Sequence, residues 1–232
     1  MAAKPVSNHE ALPEIDPQNP PFPLNDTDKK VLSIKDEDWN PITWAQLQEI
    51  IGTFPPFPQE QQQQAAAKLQ RSPAATRQYL AWSASIKSQY GSTLPYITSQ
   101  KLRWEPSPHS DPPAFPSQSS TPFASRRDYA ILPNDWPYSF TPEITHLLVW
   151  TKTPIATDDS EGGDVTAESR RLIDGFVQKT FAAGLGEGGG ERVLWFKNWT
   201  GLQSVRALDH VHVLVRGVDE EVLGAWLERR DL

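Results

Sequence analysis

The chain has 232 residues, which is enough for one domain with an appendage and for a real hydrophobic core. Its net charge of −7 argues against broad electrostatic binding to nucleic acid, and the absence of cysteine excludes disulfides, thiol catalysis and cysteine metal sites. We expect no membrane partner, because no apolar run approaches the roughly 18 residues of a membrane span and the N-terminus has no apolar signal segment.

The distribution of proline divides the chain into four parts. Residues 1–35 are polar and Pro-rich, and we predict a disordered arm because such a stretch buries too little apolar surface to offset its ordering entropy. Residues 36–105 are predicted to form a helical extension, and residues 106–125 a Pro/Ser-rich loop. Residues 126–232 are predicted to form an α+β domain.

Local signals predict where the helices of the extension begin and end. Thr43-Trp-Ala-Gln46 is a capping-box pattern, and Ser72-Pro73 pairs an N-cap with proline at the first helical position. Gly91 is predicted to end the helix that begins at Pro73.

The C-terminal part alternates apolar strands with two capped helices. The predicted strands are 129–132, 145–151, 193–198 and 211–216, and the predicted helices begin at Thr166 and Asp219. We predict a flexible surface connection for the Gly-rich residues 184–190. The resulting order, ββαββα, predicts a mostly antiparallel sheet with helices packed on it.

Two histidines on the last strand are the strongest candidates for chemistry. His210 and His212 are two residues apart and therefore share one face of the strand, opposite Val211, Val213 and Val215. An upstream polar turn, containing Asn198, Gln203 and Ser204, can form an anion-binding nest of backbone N–H groups. A nest beside two imidazoles indicates a phosphate ester as ligand, since imidazole acts as a nucleophile or as an acid or base near pH 7. The simpler alternative is that both histidines are partly exposed sheet residues without a function.

Seven short motifs between about residues 40 and 216 resemble those of the fungal N-acetylglucosamine-induced protein family, a domain of unknown function. They are Arg71-Ser-Pro73, Tyr90-Gly-Ser92, Leu102-x-Trp104, Leu132-Pro-Asn-Asp-Trp-Pro-Tyr138, His146-Leu-Leu-Val-Trp-Thr-Lys152, Trp195-Phe-x-Asn198, and Ser204-Val205 followed by His210-x-His212. The resemblance implies a fungal cytoplasmic protein, with the nucleus as a second location, that is connected with the response to amino sugars. It does not supply a reaction.

The C-terminal half also resembles the histidine-triad (HIT) superfamily of nucleotide hydrolases and transferases. The matching residues are His146 to Lys152 in one strand, then Asn198, Gly201, Gln203-Ser204-Val205 and His210-Val-His212. The HIT-like resemblance implies that His212 is the catalytic nucleophile and that His210 is a second catalytic residue, which hydrogen-bonds the site. Ser204, the Val205 N–H and Asn198 would hold phosphate, and Asp135 would bind ribose.

The chain departs from the histidine-triad pattern at two points. Leu214 stands where the third histidine belongs, and Arg206–Asp209 is an insertion before the histidine strand. The loss of a general acid costs about 10²- to 10⁴-fold in rate, so either the chemistry differs or the site only binds its ligand. Lys152, Lys197 and Arg206 are the candidate cations for the phosphate.

The sequence therefore favours an α+β protein that binds a phosphorylated small molecule, a nucleotide or an amino-sugar nucleotide, without a cofactor. A homodimer is expected only by analogy with the HIT superfamily. One alternative is a divalent metal site formed by His210 and His212 with His146 or Asp135. A second alternative is a regulatory or scaffold protein without a small-molecule site.

Overall fold

A four-stranded antiparallel sheet forms the centre of the protein. The computed structural model describes residues 23–52, 65, 67–110, 113–158, 163–198, 205 and 208–227. The strands in chain order are β1 (Tyr129–Pro133), β2 (Ile144–Thr151), β3 (Thr157–Asp158), β4 (Asp164–Val165), β5 (Val193–Phe196) and β6 (His210–Arg216). The main sheet has the order β1-β2-β6-β5, and β3 and β4 form a separate short hairpin. The predicted α+β class is confirmed.

One face of the sheet carries the main hydrophobic core. Val211, Val213 and Val215 of β6 point to this face and are no more than 1% exposed. They pack against helix α5 (Ala167–Val177), whose Thr166 side chain accepts a hydrogen bond from the Ser169 N–H at 3.1 Å. Helix α6 (Glu220–Leu227) closes the same core, with its first turn capped by Asp219. Both predicted helix starts are confirmed.

The N-terminal part is helical, and its predicted caps are present. It contains α1 (Asp26–Leu32), α2 (Trp44–Gly52), α3 (Pro73–Tyr90), α4 (Thr93–Tyr96) and a π-helical turn (Ile97–Leu102). The Ser72 hydroxyl accepts from the Ala75 N–H at 3.2 Å, and Gly91 ends α3 with a φ of 77°. The Thr43 N–H donates to the Gln46 side chain at 2.9 Å, as the capping box predicts.

The N-terminal part covers the second face of the sheet instead of extending away from it. Near one edge, Trp44 and Leu47 of α2 pack against Phe196 and Leu214. Near the other edge, a second apolar cluster joins the π-helical turn and the Pro/Ser-rich loop to the sheet, and it contains Leu102, Phe115, Leu132, Trp150, Val205 and Leu208. The histidine side chains lie on the sheet between these two clusters.

One sequence-based expectation about disorder is wrong within the described residues. The arm predicted for residues 1–35 ends in helix α1, because Asn25 and Asp28 form a reciprocal capping box and Val31 and Leu32 are buried. Residues 1–22 lie outside the described part of the chain.

The Gly-rich connection 184–190 is mostly exposed, as expected of a surface connection, and its flexibility stays a prediction. It contains two short 3₁₀ turns, and Gly189 lies so close to the Ala182 carbonyl oxygen that a Cβ would collide with it. Glycine is therefore required at this position for close backbone packing.

No helix within the described residues combines the length and the apolar character that crossing a bilayer requires.

Candidate functional site

Three histidines lie close together on the sheet, and two of them, His210 and His212, line the candidate site. His210 and His212 alternate along β6, and His146 of the neighbouring β2 lies opposite Leu214 in the register. All three are buried, with exposed fractions of 6% for His146, 4% for His210 and 5% for His212. The alternative in which the histidines are simply exposed sheet surface is therefore wrong, because the N-terminal helices cover this face.

His146 and His212 belong to one chain of polar contacts. The Nε2 atom of His146 lies 2.9 Å from Nδ1 of His212, and the Asn198 amide nitrogen lies 3.3 Å from Nε2 of His212. The Asn134 amide nitrogen also contacts the His146 ring, at 3.3 Å from Nε2 and 3.4 Å from Nδ1. Both ring nitrogens of His212 are therefore engaged by protein groups.

Aromatic rings hold the imidazoles in fixed orientations. The Phe196 ring stacks on His212 at a centroid distance of 4.5 Å and an angle of 9°, and Tyr138 is also nearly parallel to it, at 6.1 Å. The ring centroids of Trp150 and His210 are 4.3 Å apart.

His210 differs from His212 in its hydrogen bonding. Its Nδ1 lies 3.1 Å from the carbonyl oxygen of Leu208, which can only accept, so Nδ1 carries the proton. In the neutral ring Nε2 is then an acceptor, and within the described residues it makes no hydrogen bond. His210 also lines a cavity between the sheet and the N-terminal helices.

Burial keeps the three histidines neutral at pH 7. Desolvation lowers the pKa of His146 to about 3, assisted by the positive charge of Arg71 and by electrostatic coupling to the neighbouring His210. Desolvation also lowers the pKa of His210 to about 4, against the opposing effect of the Leu208 carbonyl. The pKa of His212 is lowered well below its usual range by burial and by the neighbouring His146. The histidines therefore offer hydrogen-bonding groups to a ligand but no positive charge.

A cavity of about 700 Å³ lies above His210 and His212, between the sheet and the N-terminal helices. Its walls include Arg71, Tyr79, Trp82, Lys101 and Trp136, and residues between 23 and 28 form part of its rim. This volume is within the range of about 300–1,000 Å³ that is usual for small-molecule sites.

Arg71 is the best-positioned cationic group of the cavity. Its Nε donates to the Trp136 carbonyl at 3.0 Å, and its guanidinium carbon lies 4.0 Å from the centroid of the Tyr79 ring. Its two terminal amino groups form no hydrogen bond or ion pair with any described residue. A guanidinium that is oriented through Nε and stacked on a ring is prepared to bind an anion through these two groups.

The structure also gives the positions of the other candidate residues. Asp135 lines the cavity, but its carboxylate is paired with Lys101 at 2.6 Å. Val205 lines the cavity and is buried. Lys152 lies outside the lining, with its ammonium 5.2 Å from the centroid of Trp104. Lys197 is buried in an ion pair with Asp209 at 2.9 Å.

Three residues of the predicted phosphate turn, Gln203, Ser204 and Arg206, lie outside the described residues. Sequence reasoning did not select Arg71 as a site residue, although Arg71-Ser-Pro73 is one of the motifs of the family resemblance. The sequence feature that could have drawn attention to Arg71 is its position immediately before Ser72, the N-cap residue of α3.

The geometry gives no support to the alternative metal site at His146, His210 and His212. In the part of the chain that the structure describes, no three histidine, aspartate or glutamate side chains form a group that could hold a metal ion. The close nitrogens of His146 and His212 point at each other and share a hydrogen bond, which leaves neither lone pair for a common ion.

Comparison with known proteins gives consistent matches over most of the chain. The family model described as "Protein of unknown function (DUF3605)" matches residues 43–216. N-acetylglucosamine-induced protein 1 of Candida albicans is 28% identical over 198 residues, which are 81% of this chain and 73% of that protein. The uncharacterized protein YPL067C of Saccharomyces cerevisiae is 30% identical over 173 residues, 74% of this chain and 77% of that protein.

Among solved structures, the crystal structure of HTC1 is similar, with a TM-score of 0.56 and 26% identity, over 80% of this chain and 93% of that chain. Together, the sequence matches confirm the resemblance to the fungal N-acetylglucosamine-induced proteins.

Proposed function

The chain belongs to the DUF3605 family of proteins of unknown function, and we propose that it binds a phosphorylated small molecule in the cavity above its histidine strand. The observation that carries this proposal is the arrangement of Arg71. Its guanidinium is fixed by the Trp136 carbonyl and by the Tyr79 ring, while its terminal amino groups remain available at the cavity. A phosphate group presents a pair of oxygens that such a guanidinium binds through two parallel hydrogen bonds.

The aromatic wall of the cavity supports a ligand that carries a ring. Trp82 and Trp136 have ring centroids 5.2 Å apart, and Tyr79 lies within 6 Å of both. Indole and phenol faces stack on nucleobases and on the apolar faces of sugars. Nucleotides and amino-sugar nucleotides are therefore the ligand classes we propose. The name of the Candida albicans relative, N-acetylglucosamine-induced protein 1, supports adding amino-sugar phosphates.

Binding is better supported than turnover. The HIT-like resemblance implies a nucleophilic His212, but both nitrogens of that ring are engaged by His146 and Asn198. Leu214, in the position of the third histidine, is fully buried in the apolar cluster beneath α2. The remaining histidines are neutral at pH 7 and cannot serve as general acids without first gaining a proton. Whether the bound ligand is hydrolysed or transferred is therefore measured in the experiment. We expect the ligand to be a cytoplasmic compound.

The experiment is a thermal-shift screen followed by calorimetric titration. The ligands are nucleotides, nucleotide sugars and amino-sugar phosphates, each paired with its unphosphorylated counterpart, and bound compounds are analysed for turnover. A ligand at 100 times its dissociation constant adds about 2.7 kcal/mol, which corresponds to an upward shift of roughly 5–10 °C for a chain of this size.

Arg71→Gln is the test variant, because it removes the positive charge. Arg71→Lys is a second variant, which keeps the charge but loses the planar set of guanidinium N–H donors. We expect Arg71→Gln to weaken binding about 10- to 100-fold, because a charged hydrogen-bond partner is lost. The matched control is Arg171→Gln, since Arg171 is exposed on α5, against the opposite face of the sheet. Equal binding of the unphosphorylated compounds, or unchanged binding by a folded Arg71→Gln variant, contradicts the proposal.

A further inference from the structure

The cavity presents two chemically different kinds of polar group. Arg71 contributes N–H donors with a positive charge from the wall formed by the N-terminal part. His210 contributes an acceptor from the floor, because its proton is on Nδ1 and is directed to the Leu208 carbonyl. A ligand that fills the cavity must match both groups.

The acceptor on His210 is fixed in place. The side chain is 4% exposed, its Nδ1–H donates to Leu208, and its ring packs against Trp150 at 4.3 Å. The ring therefore cannot turn to present a donor without losing the Leu208 bond. An acceptor on a side chain that is only 4% exposed has little access to water, so a ligand that donates a hydrogen bond to it gains more than the same group gains at the surface.

Phosphate does not suit the position at His210. Phosphate oxygens carry negative charge and act as acceptors, so two lone pairs would face each other there. A hydroxyl group suits it, since it donates one hydrogen bond. Asp135, the other candidate for binding a sugar hydroxyl, is already paired with Lys101 and is about half exposed, with 45% of its side-chain surface accessible.

We propose that the ligand is a phosphorylated sugar or nucleoside that binds with its phosphate on Arg71 and with a ring hydroxyl donating to Nε2 of His210. This inference rests on the proposed function and deepens it. It assigns to His210 the recognition of the sugar hydroxyl that the HIT-like resemblance assigns to Asp135. His210 is then a specificity-determining residue that distinguishes hydroxylated rings from other phosphate esters.

Three probes and two His210 variants test this orientation. The probes are N-acetylglucosamine 6-phosphate and uridine 5′-monophosphate, which carry ring hydroxyls, and phenyl phosphate, whose ring has none. The variants are His210→Asn, whose amide can keep the bond to Leu208 but is too short to reach the position of Nε2, and His210→Gln, whose longer side chain can offer an oxygen there. Binding is measured by calorimetric titration, and circular dichroism checks that each variant is folded.

We expect at least one hydroxylated probe to bind the native protein about tenfold more tightly than phenyl phosphate, which corresponds to about one hydrogen bond. His210→Asn should remove this preference without changing the affinity for phenyl phosphate, and His210→Gln should restore part of it. Asp135→Asn should leave the preference intact.

The inference is overturned if phenyl phosphate binds the native protein as tightly as the hydroxylated probes, or if His210→Asn weakens all probes equally. In both of those cases a loss of binding in Arg71→Gln still supports the proposed phosphate site. If none of the phosphate esters binds the native protein, both the proposed function and the orientation are wrong.

Discussion

The buried histidines should make the protein less stable as the pH falls below 6.5. Their folded-state pKa values are lower than the value of about 6.5 expected in the unfolded chain. Between the folded-state and the unfolded-state pKa values, the unfolded chain binds protons that the folded protein does not bind. The free energy of unfolding therefore decreases as the pH decreases. The stability that depends on neutral histidine is fully present above pH 6.5 and is lost as the pH decreases towards the folded-state values.

The size of this loss of stability follows from the folded-state pKa values of two of the histidines. The pKa is about 3 for His146 and about 4 for His210, so both stay neutral in the folded protein at pH 5. Because the unfolded imidazole is only half protonated at pH 6.5, the slope approaches about 1.4 kcal/mol per pH unit only below that pH, and each group lowers the free energy of unfolding by about 1.6 kcal/mol between pH 6.5 and 5. The two together lower it by about 3 kcal/mol, and His212 acts in the same direction. This is a large part of a typical stability of 5–15 kcal/mol.

The assay is urea unfolding at half-unit steps from pH 5 to 7.5. In His210→Gln and in His146→Gln, the loss of stability between pH 6.5 and 5 should shrink by about 1.6 kcal/mol each. His109→Asn is the control, because His109 is exposed and has a φ of 61°, a conformation that asparagine tolerates. A wild-type stability that does not change over this range, or a slope unaltered in both variants, would refute the reasoning.

Three further substitutions, one of them with a matched control, test the packing of the protein by urea or thermal unfolding. Ile173→Ala removes a fully buried side chain from the main core and should cost about 2–5 kcal/mol; a loss below 1 kcal/mol would contradict the packing. Asp128→Ala should cost about 3 kcal/mol and expose the Pro/Ser-rich loop to proteolysis, because its fully buried carboxylate accepts backbone N–H groups of that loop. Gly189→Ala should be strongly destabilising because of the collision with the Ala182 carbonyl, whereas Gly190→Ala, whose Cβ would have only an ordinary contact, should be nearly neutral.

The sequence was sufficient to predict features that depend on neighbouring residues. Alternation along β6 separated His210 and His212 from the core valines, and the caps at Ser72 and Thr166 marked helix starts, because each signal lies within a few positions.

The candidate site itself depends on contacts between distant residues. The bond between Arg71 and the Trp136 carbonyl joins positions 65 residues apart, and the contact between His146 and His212 joins positions 66 apart. No local pattern indicates that the helices would cover the histidine face, so the burial and neutrality of these side chains could not be predicted. The same reason explains why Lys152 was selected as a phosphate cation and Arg71 was not.

The order of strands in the sheet has a consequence during synthesis. Strand β2 pairs with β1 on one side and with β6 on the other, and β6 follows about 60 residues later in the chain. At about 5–20 residues per second, the ribosome needs several seconds to supply this partner. During that interval an apolar strand presents an unpaired edge, which is a template for association with other chains. A nascent chain stalled before β6 should therefore be the species that recruits chaperones. The cavity above His210 and His212 cannot form until β6, which carries both residues, has left the ribosome.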